Sequence, residues 1–249
     1  MAAAPGRVAM LHTRAAPRVG IHDDWVAWLI GEHMPQLTAG SPLLGCWCYR
    51  SSAAVNMAGP HYMVSYIAPD LATLREWLAS RRLEAALADG LRWVGEFDSL
   101  EGETFTGNVY VQAWASPGAD PRPWPQAVHV RRFESAGPDP DQHGWAAARA
   151  VAAEADALTA IAGVSSASLW SGIRDVAISH YRSAGNRMIV CGLGSSELPA
   201  AAAARIGALQ DRETCSGYAT ATSYRLLASV EGAGAMDSCG SSPAQETSA

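Results

Sequence analysis

Apolar and polar positions follow two periods along this chain, in an order that occurs twice. Arg7 to Thr13 alternates, with Val8, Met10 and His12 on one face, and predicts a strand. Trp25, Trp28, Leu29, Glu32 and His33 then recur at helical spacing and share one helix face. Asp23 or Asp24 is placed to cap that helix, and Pro35 is expected to stop it. Leu44 to Arg50 reads as a strand with Trp47 and Tyr49 on one face and Cys46 and Cys48 on the other. His61 to Ile67 is a third strand: His61, Met63, Ser65 and Ile67 face one way, Tyr62, Val64 and Tyr66 the other. A helix from Pro69-Asp70 through Leu78, with a helical continuation toward Leu91, leads to a strand at Phe105 to Trp114.

Ser116 to Pro125, with its four prolines, marks a connection. The order then recurs: strand Ala127–Phe133, helix Trp145–Ile161, strands Ser165–Gly172 and Arg187–Cys191, helix Leu198–Leu209 and strand Tyr218–Val230. The glycine, serine and alanine beyond Glu231 offer too little apolar surface to offset ordering and are expected to be disordered. The expected units are thus 1–118, a connection at 119–126, 127–231 and a tail at 232–249. Two β-α-β-β-α-β units predict an α+β fold of tandem ferredoxin-like repeats. Each four-stranded antiparallel sheet would carry helices on one side, and the two open faces would stack around a shared interior.

Composition changes the picture mainly by exclusion. A net charge of −6 and pI near 5.6 argue against nucleic acid or an anionic membrane as partner. Every cationic side chain other than histidine is arginine, which removes Schiff-base lysine chemistry and the phosphate-loop lysine. No stretch is apolar enough for a signal peptide or membrane span; five cysteines, odd in number and without paired C-x-x-C spacing, argue against a disulfide framework or structural zinc, and Cys46 and Cys48 read as buried thiols. The cytoplasm is the expected compartment. Cys191-Gly192-Leu193-Gly194-Ser195-Ser196 before a helix suggests a phosphate turn, but it lacks a third glycine and a parallel setting. No metal-ligand spacing is visible, and the expectation is no metal and no cofactor.

The run Trp28-Leu29-Ile30-Gly31-Glu32-His33-Met34-Pro35 resembles the W-Y-x-x-E-H-L-P signature of EthD-like members of the dimeric α+β barrel superfamily. Pro60-His61-Tyr62-Met63-Val64-Ser65-Tyr66 is similar to their P-R-Y-L-A-L-Y strand. The likeness covers roughly the first 80 residues; the second half matches only in its order of elements. Aligning Trp145 with Trp25 sets Ala153 where His33 stands, which leaves one candidate polar site per chain. The resemblance implies a dimeric α+β barrel, here within one chain, holding a small hydrophobic or aromatic molecule. It leaves open whether two such barrels pair as a homodimer.

His33 is the leading candidate as general acid/base, with Glu32 to orient it or carry a second proton. The competing account places His33 at a helix C-terminus, binding free carbonyls. Trp25, Trp28, Trp47, Tyr49, His61, Tyr62, Tyr66, His12 and His129 are the expected substrate-binding set, though each also suits ordinary core packing. The expected activity is a cofactor-independent lyase or isomerase on a small aromatic or polyketide-like compound. The alternatives are a non-catalytic carrier of an apolar metabolite, or a haem protein using His180-Tyr181.

Overall fold

The computed structural model describes residues 7–51, 61–93, 105–116, 125–135, 156–173, 176, 186–194 and 215–233. Eight strands carry the architecture: β1 (Ala9–Ala15), β2 (Gly45–Ser51), β3 (Tyr62–Ala68), β4 (Phe105–Ala115), β5 (Ala127–Ser135), β6 (Val164–Gly172), β7 (Arg187–Leu193) and β8 (Cys215–Glu231). They form one closed barrel in the order β1-β3-β2-β8-β5-β7-β6-β4, antiparallel throughout. Each half contributes its strands in the same path, β4-β1-β3-β2 and β8-β5-β7-β6. The expected barrel shared by both halves is present, but its closure differs from the stacking of open faces expected: the halves join edge to edge, at β2–β8 and β4–β6. The last strand of each half does this. β4 runs along β1 and then β6, and the 17-residue β8 runs along β5 and then β2. Closure leaves no strand edge unpaired, which is the physical gain over two open sheets.

Strand alternation then sorts side chains into two layers. One cluster draws Met10, Trp47, Tyr49, Met63, Ile67, Tyr110, Val128, Val130, Trp170, Met188, Val190 and Tyr224 from all eight strands, and so marks the barrel lumen. A second cluster places Ala9, Leu11, Cys46, Cys48, Tyr62, Val64 and Tyr66 on the opposite face, under the helices of the first half. A third, smaller cluster lies on the corresponding outer face of the second half, where Leu158 and Ile161 meet Leu169, Ile189 and Cys191. Most of the two helices expected in the second half, and the tail beyond 233, lie outside the described residues.

The helices of the first half are α1 (His22–Trp28), α2 (Met34–Thr38), α3 (Leu71–Leu78) and α4 (Arg81–Gly90). Between α1 and α2 the chain makes a π-helical turn, Leu29–His33, closed by the Met34 N–H to the Leu29 carbonyl. Pro35 was expected to end the helix and does not. It enters the first turn of α2, where the wide π turn has already broken the bonding ladder its missing N–H would interrupt. The capping expectation at Asp23 and Asp24 is also corrected. Both lie inside the first turn, favourable to the dipole, and Ile21 holds the cap position without a side-chain bond.

The segment from Leu71 to Leu91 is two helices rather than one. Ser80 breaks it and caps α4 by accepting from the Leu83 N–H. Asp70 caps α3, its carboxylate accepting from the Thr73 N–H at 2.7 Å, and that bond holds its carboxyl below the usual range. Asp70→Ala is expected to lower unfolding stability by about 1 kcal/mol, with Asp70→Asn nearly neutral, as read from urea midpoints. The indoles do more. Trp25, Trp28 and Trp77 are each under 10% exposed between helix and sheet, so the amphipathic faces read from sequence do fix where the helices dock.

Candidate functional site

The π turn presents His33 to a cluster built with the end of α4 and the short helical turn Leu91–Trp93. Its imidazole lies 4.5 Å from the Trp28 ring, and Trp28 in turn lies 5.7 Å from Trp93. The Trp28 indole N–H donates to Asp89 Oδ2 at 2.9 Å. Arg92 spans the group: its guanidinium sits 5.2 Å and 5.5 Å from the two indole centres and approaches Asp89 at 3.6 Å and Glu32 at 3.5 Å. Burial drives His33 from 6.5 down to about 4, with Asp89 pulling it back up and Arg92 pushing it lower. The imidazole is therefore neutral at physiological pH. Its Nδ1 and the Trp93 Nε1 are both enclosed and find no hydrogen-bond partner among the described residues.

Glu32 does not reach His33. Its largely exposed carboxylate turns to Arg92, because adjacent positions on a helical turn point in different directions, and Asp89 is the acid that acts on the ring. Asp89, Arg92 and Trp93 were not singled out from sequence. Only the docking of α4 against α1 brings them to the π turn.

A second polar arrangement lies at the start of α1. His22 Nδ1 meets Asp23 Oδ1 at 3.0 Å, and its Nε2 makes a short contact with the Tyr62 phenol. Trp25 packs edge-on against the same Tyr62 at 5.1 Å. Burial pushes the Tyr62 phenol up to about 12, so it stays protonated and can donate a hydrogen bond to the imidazole. This carboxylate–imidazole–phenol chain joins an exposed acid to a buried phenol. Sequence reading missed it, since His22 lies outside the helical stripe.

The expected single chamber is thus divided. Trp25, Trp28, His33, Tyr62 and Tyr66 occupy the layer between sheet and helices, while His12, Trp47, Tyr49 and His61 point into the barrel lumen. The physical reason is that helices dock on the outer sheet face, so nothing on a helix can share a pocket with lumen-facing side chains. Tyr66 stacks 5.3 Å from Trp77 as core, and Tyr49 donates its hydroxyl to the Pro125 carbonyl at 2.9 Å, securing the seam between halves. His129 is buried on the outer face of the second half, its Nδ1 bonded to Ser223 Oγ at 3.0 Å and burial holding it at about 4. It joins neither group. Cys46, Cys48 and Cys191 are free buried thiols, and burial pushes Cys48 and Cys191 to about 12. His180 and Tyr181 lie outside the described residues. Among the described residues no cluster of three His, Cys, Asp or Glu could hold a metal, and no helix is long and apolar enough to cross a membrane.

No family model and no curated protein sequence matches this chain. Its fold does match solved structures. A candidate monooxygenase from Fusobacterium nucleatum subsp. nucleatum aligns at TM-score 0.55 and 9% identity, over 91% of this chain and 95% of that one. One from Lactobacillus acidophilus aligns at 0.52 and 7%, over 90% and 96%. A candidate chlorite dismutase aligns at 0.52 and 8%, also over 90% and 96%. At such identities the likeness is one of fold alone.

Proposed function

We propose that this chain is a cofactor-independent lyase or isomerase of EthD-like type, acting on a small aromatic or polyketide-like substrate beside the π turn. The observation that carries the reading is the enclosed, neutral His33, whose Nδ1 has no hydrogen-bond partner among the described residues, as the Trp93 Nε1 on the other side of Trp28 has none. Buried polar atoms without partners are rare, and a ligand that supplies both is the simplest completion. Trp28 and Trp93 offer flat apolar faces to a ring system. Imidazole Nδ1 takes the proton from an activated carbon, and Arg92 supplies positive charge beside the developing oxyanion. Isomerisation returns that proton at another carbon of the anion, and elimination lets the anion expel a leaving group that carries the proton away; decarboxylation reaches the same kind of anion by losing carbon dioxide and then takes up a proton. The repeated strand path supports tandem ferredoxin-like units at 1–118 and 127–231.

The carrier reading is favoured by one observation: an imidazole held near 4 is a weak base at neutral pH. His33→Ala separates the two. With a substrate found by screening aromatic and polyketide-like compounds, oxygen uptake included because two proteins of this fold are designated monooxygenases, turnover should fall about 10²-fold or more while the dissociation constant moves little. A change in affinity alone establishes the carrier. In the wild type, kcat/KM should rise with pH through about 4 and stay level through 6.5. A native mass spectrum would identify a copurified small molecule and count the chains.

A further inference from the structure

We propose that the barrel lumen is a second binding site, for a small carboxylic acid with an apolar body, its carboxylate held by Arg14, Arg132, His12 and Thr106. This site is separate from the π-turn cluster and stands whatever that cluster does. The residues come from different parts of the chain and meet only because the barrel closes. Arg14 pairs directly with Thr106 across β1–β4, and Arg14 also pairs with Met63 across β1–β3. His12 lies on the same face of β1 two residues earlier, its ring edge-on to lumen-facing Tyr110 at 6.0 Å and its Nδ1 3.3 Å from Ser65 Oγ. Arg132 comes from β5, which is not a neighbour of β1 in the barrel, yet its charge acts on His12 together with that of Arg14. Arg132 therefore faces the His12 imidazole from across the lumen, while Arg14 flanks it along β1.

Their burial is nearly complete: Arg132 and His12 are 2% exposed, Arg14 and His61 3% and Thr106 4%. His61 belongs to the same group, its Nδ1 3.4 Å from Arg14 Nη2. Within it the His12 Nε2 and the Thr106 hydroxyl are fully enclosed and make no hydrogen bond among the described residues. Both can donate, as can the guanidinium groups beside them, so the surroundings are built for an acceptor with several lone pairs. A carboxylate has that character and matches the planar guanidinium fork. The rest of the wall fixes the body of the ligand. Arg132 pairs with Met188, Met188 with Trp170, and both are lumen-facing apolar side chains on the same tier. Arg14 and His61 stand next to the strand ends Ala15 and Tyr62, so the charged groups lie toward one end of the barrel.

The test titrates the full chain calorimetrically, at neutral pH and low salt, with benzoate, with benzamide as the uncharged isostere and with inorganic phosphate as an anion lacking a ring. Benzoate is expected to bind at least about tenfold more tightly than either comparator, and Arg132→Gln should weaken benzoate by about tenfold or more while leaving benzamide unchanged. Equal binding of phosphate, or benzoate binding indifferent to both Arg132→Gln and His12→Gln, overturns the assignment. Should the arginine variant fail to fold, the wild type still decides. Benzoate must shift the imidazole NMR resonances that disappear in His12→Gln, and their constancy at saturating benzoate refutes the site.

Discussion

Lowering the pH from about 6.5 toward 4 is expected to destabilise the folded chain steeply. His12, His33 and His129 are all held below their ordinary value of 6.5, chiefly by burial, His33 and His129 at about 4. In the unfolded chain each titrates near 6.5, so within this window the unfolded state binds protons that the folded state refuses. Stability is then complete above about 6.5 and declines as pH falls, levelling off only below the folded values. Each imidazole contributes at most about 1.4 kcal/mol per pH unit, so three acting together approach about 4 kcal/mol per unit. Set against a typical total of about 5–15 kcal/mol, that slope brings unfolding within reach near pH 5. Urea midpoints measured from pH 7.5 to 4.5 would show it, and His129→Gln should flatten the slope by about a third. A midpoint unchanged across that range would mean the imidazoles take up protons in the fold as readily as in the unfolded chain.

Among the described glycines, Gly232→Ala should be the most damaging substitution, and Gly31→Ala should be stabilising. Gly232 follows β8 at the seam with the first half, and its N–H donates to the Leu44 carbonyl at 3.1 Å. A Cβ there would sit 1.9 Å from the Leu43 carbonyl oxygen and 2.8 Å from its carbon. Those are backbone atoms, so no rotamer relieves the overlap, and the β2–β8 seam must open or shift. A loss of about 3 kcal/mol or more is expected, in the range of severe overpacking. At Gly31, on the exposed side of the π turn, a Cβ meets nothing within 4 Å. There the alanine only removes unfolded-state entropy and gains about 0.5–1 kcal/mol. Thermal midpoints of the two variants should move in opposite directions. If both move alike, the close approach at Leu43 is not part of the fold.

Much of the architecture was legible because strand and helix periods leave distinct marks. The faces assigned to β2 and β3, with Trp47 and Tyr49 opposite Cys46 and Cys48, and His61 and Met63 opposite Tyr62 and Tyr66, are those the barrel uses. The helical stripe of Trp25, Trp28 and Leu29 is buried as its spacing demanded. The π turn and the continuation through Pro35 were not legible, since a widened turn preserves the apolar face while changing only the hydrogen-bond ladder.

Alternation fixes which side chains share a face, and helical spacing fixes which residues dock; the sequence by itself settled both for this protein. It could not say which sheet face becomes the lumen, because both faces of these strands are apolar and both are buried. Tertiary closure made that choice. By joining β2 to β8 and β4 to β6 it put His12, Arg14, His61 and Arg132 inside and left His33, Tyr62 and the indoles of α1 outside. The same closure explains why a pair such as Arg132 and His12 escaped the linear pattern. Their proximity is set by the path of the chain around a barrel, and local periodicity carries no information about that path.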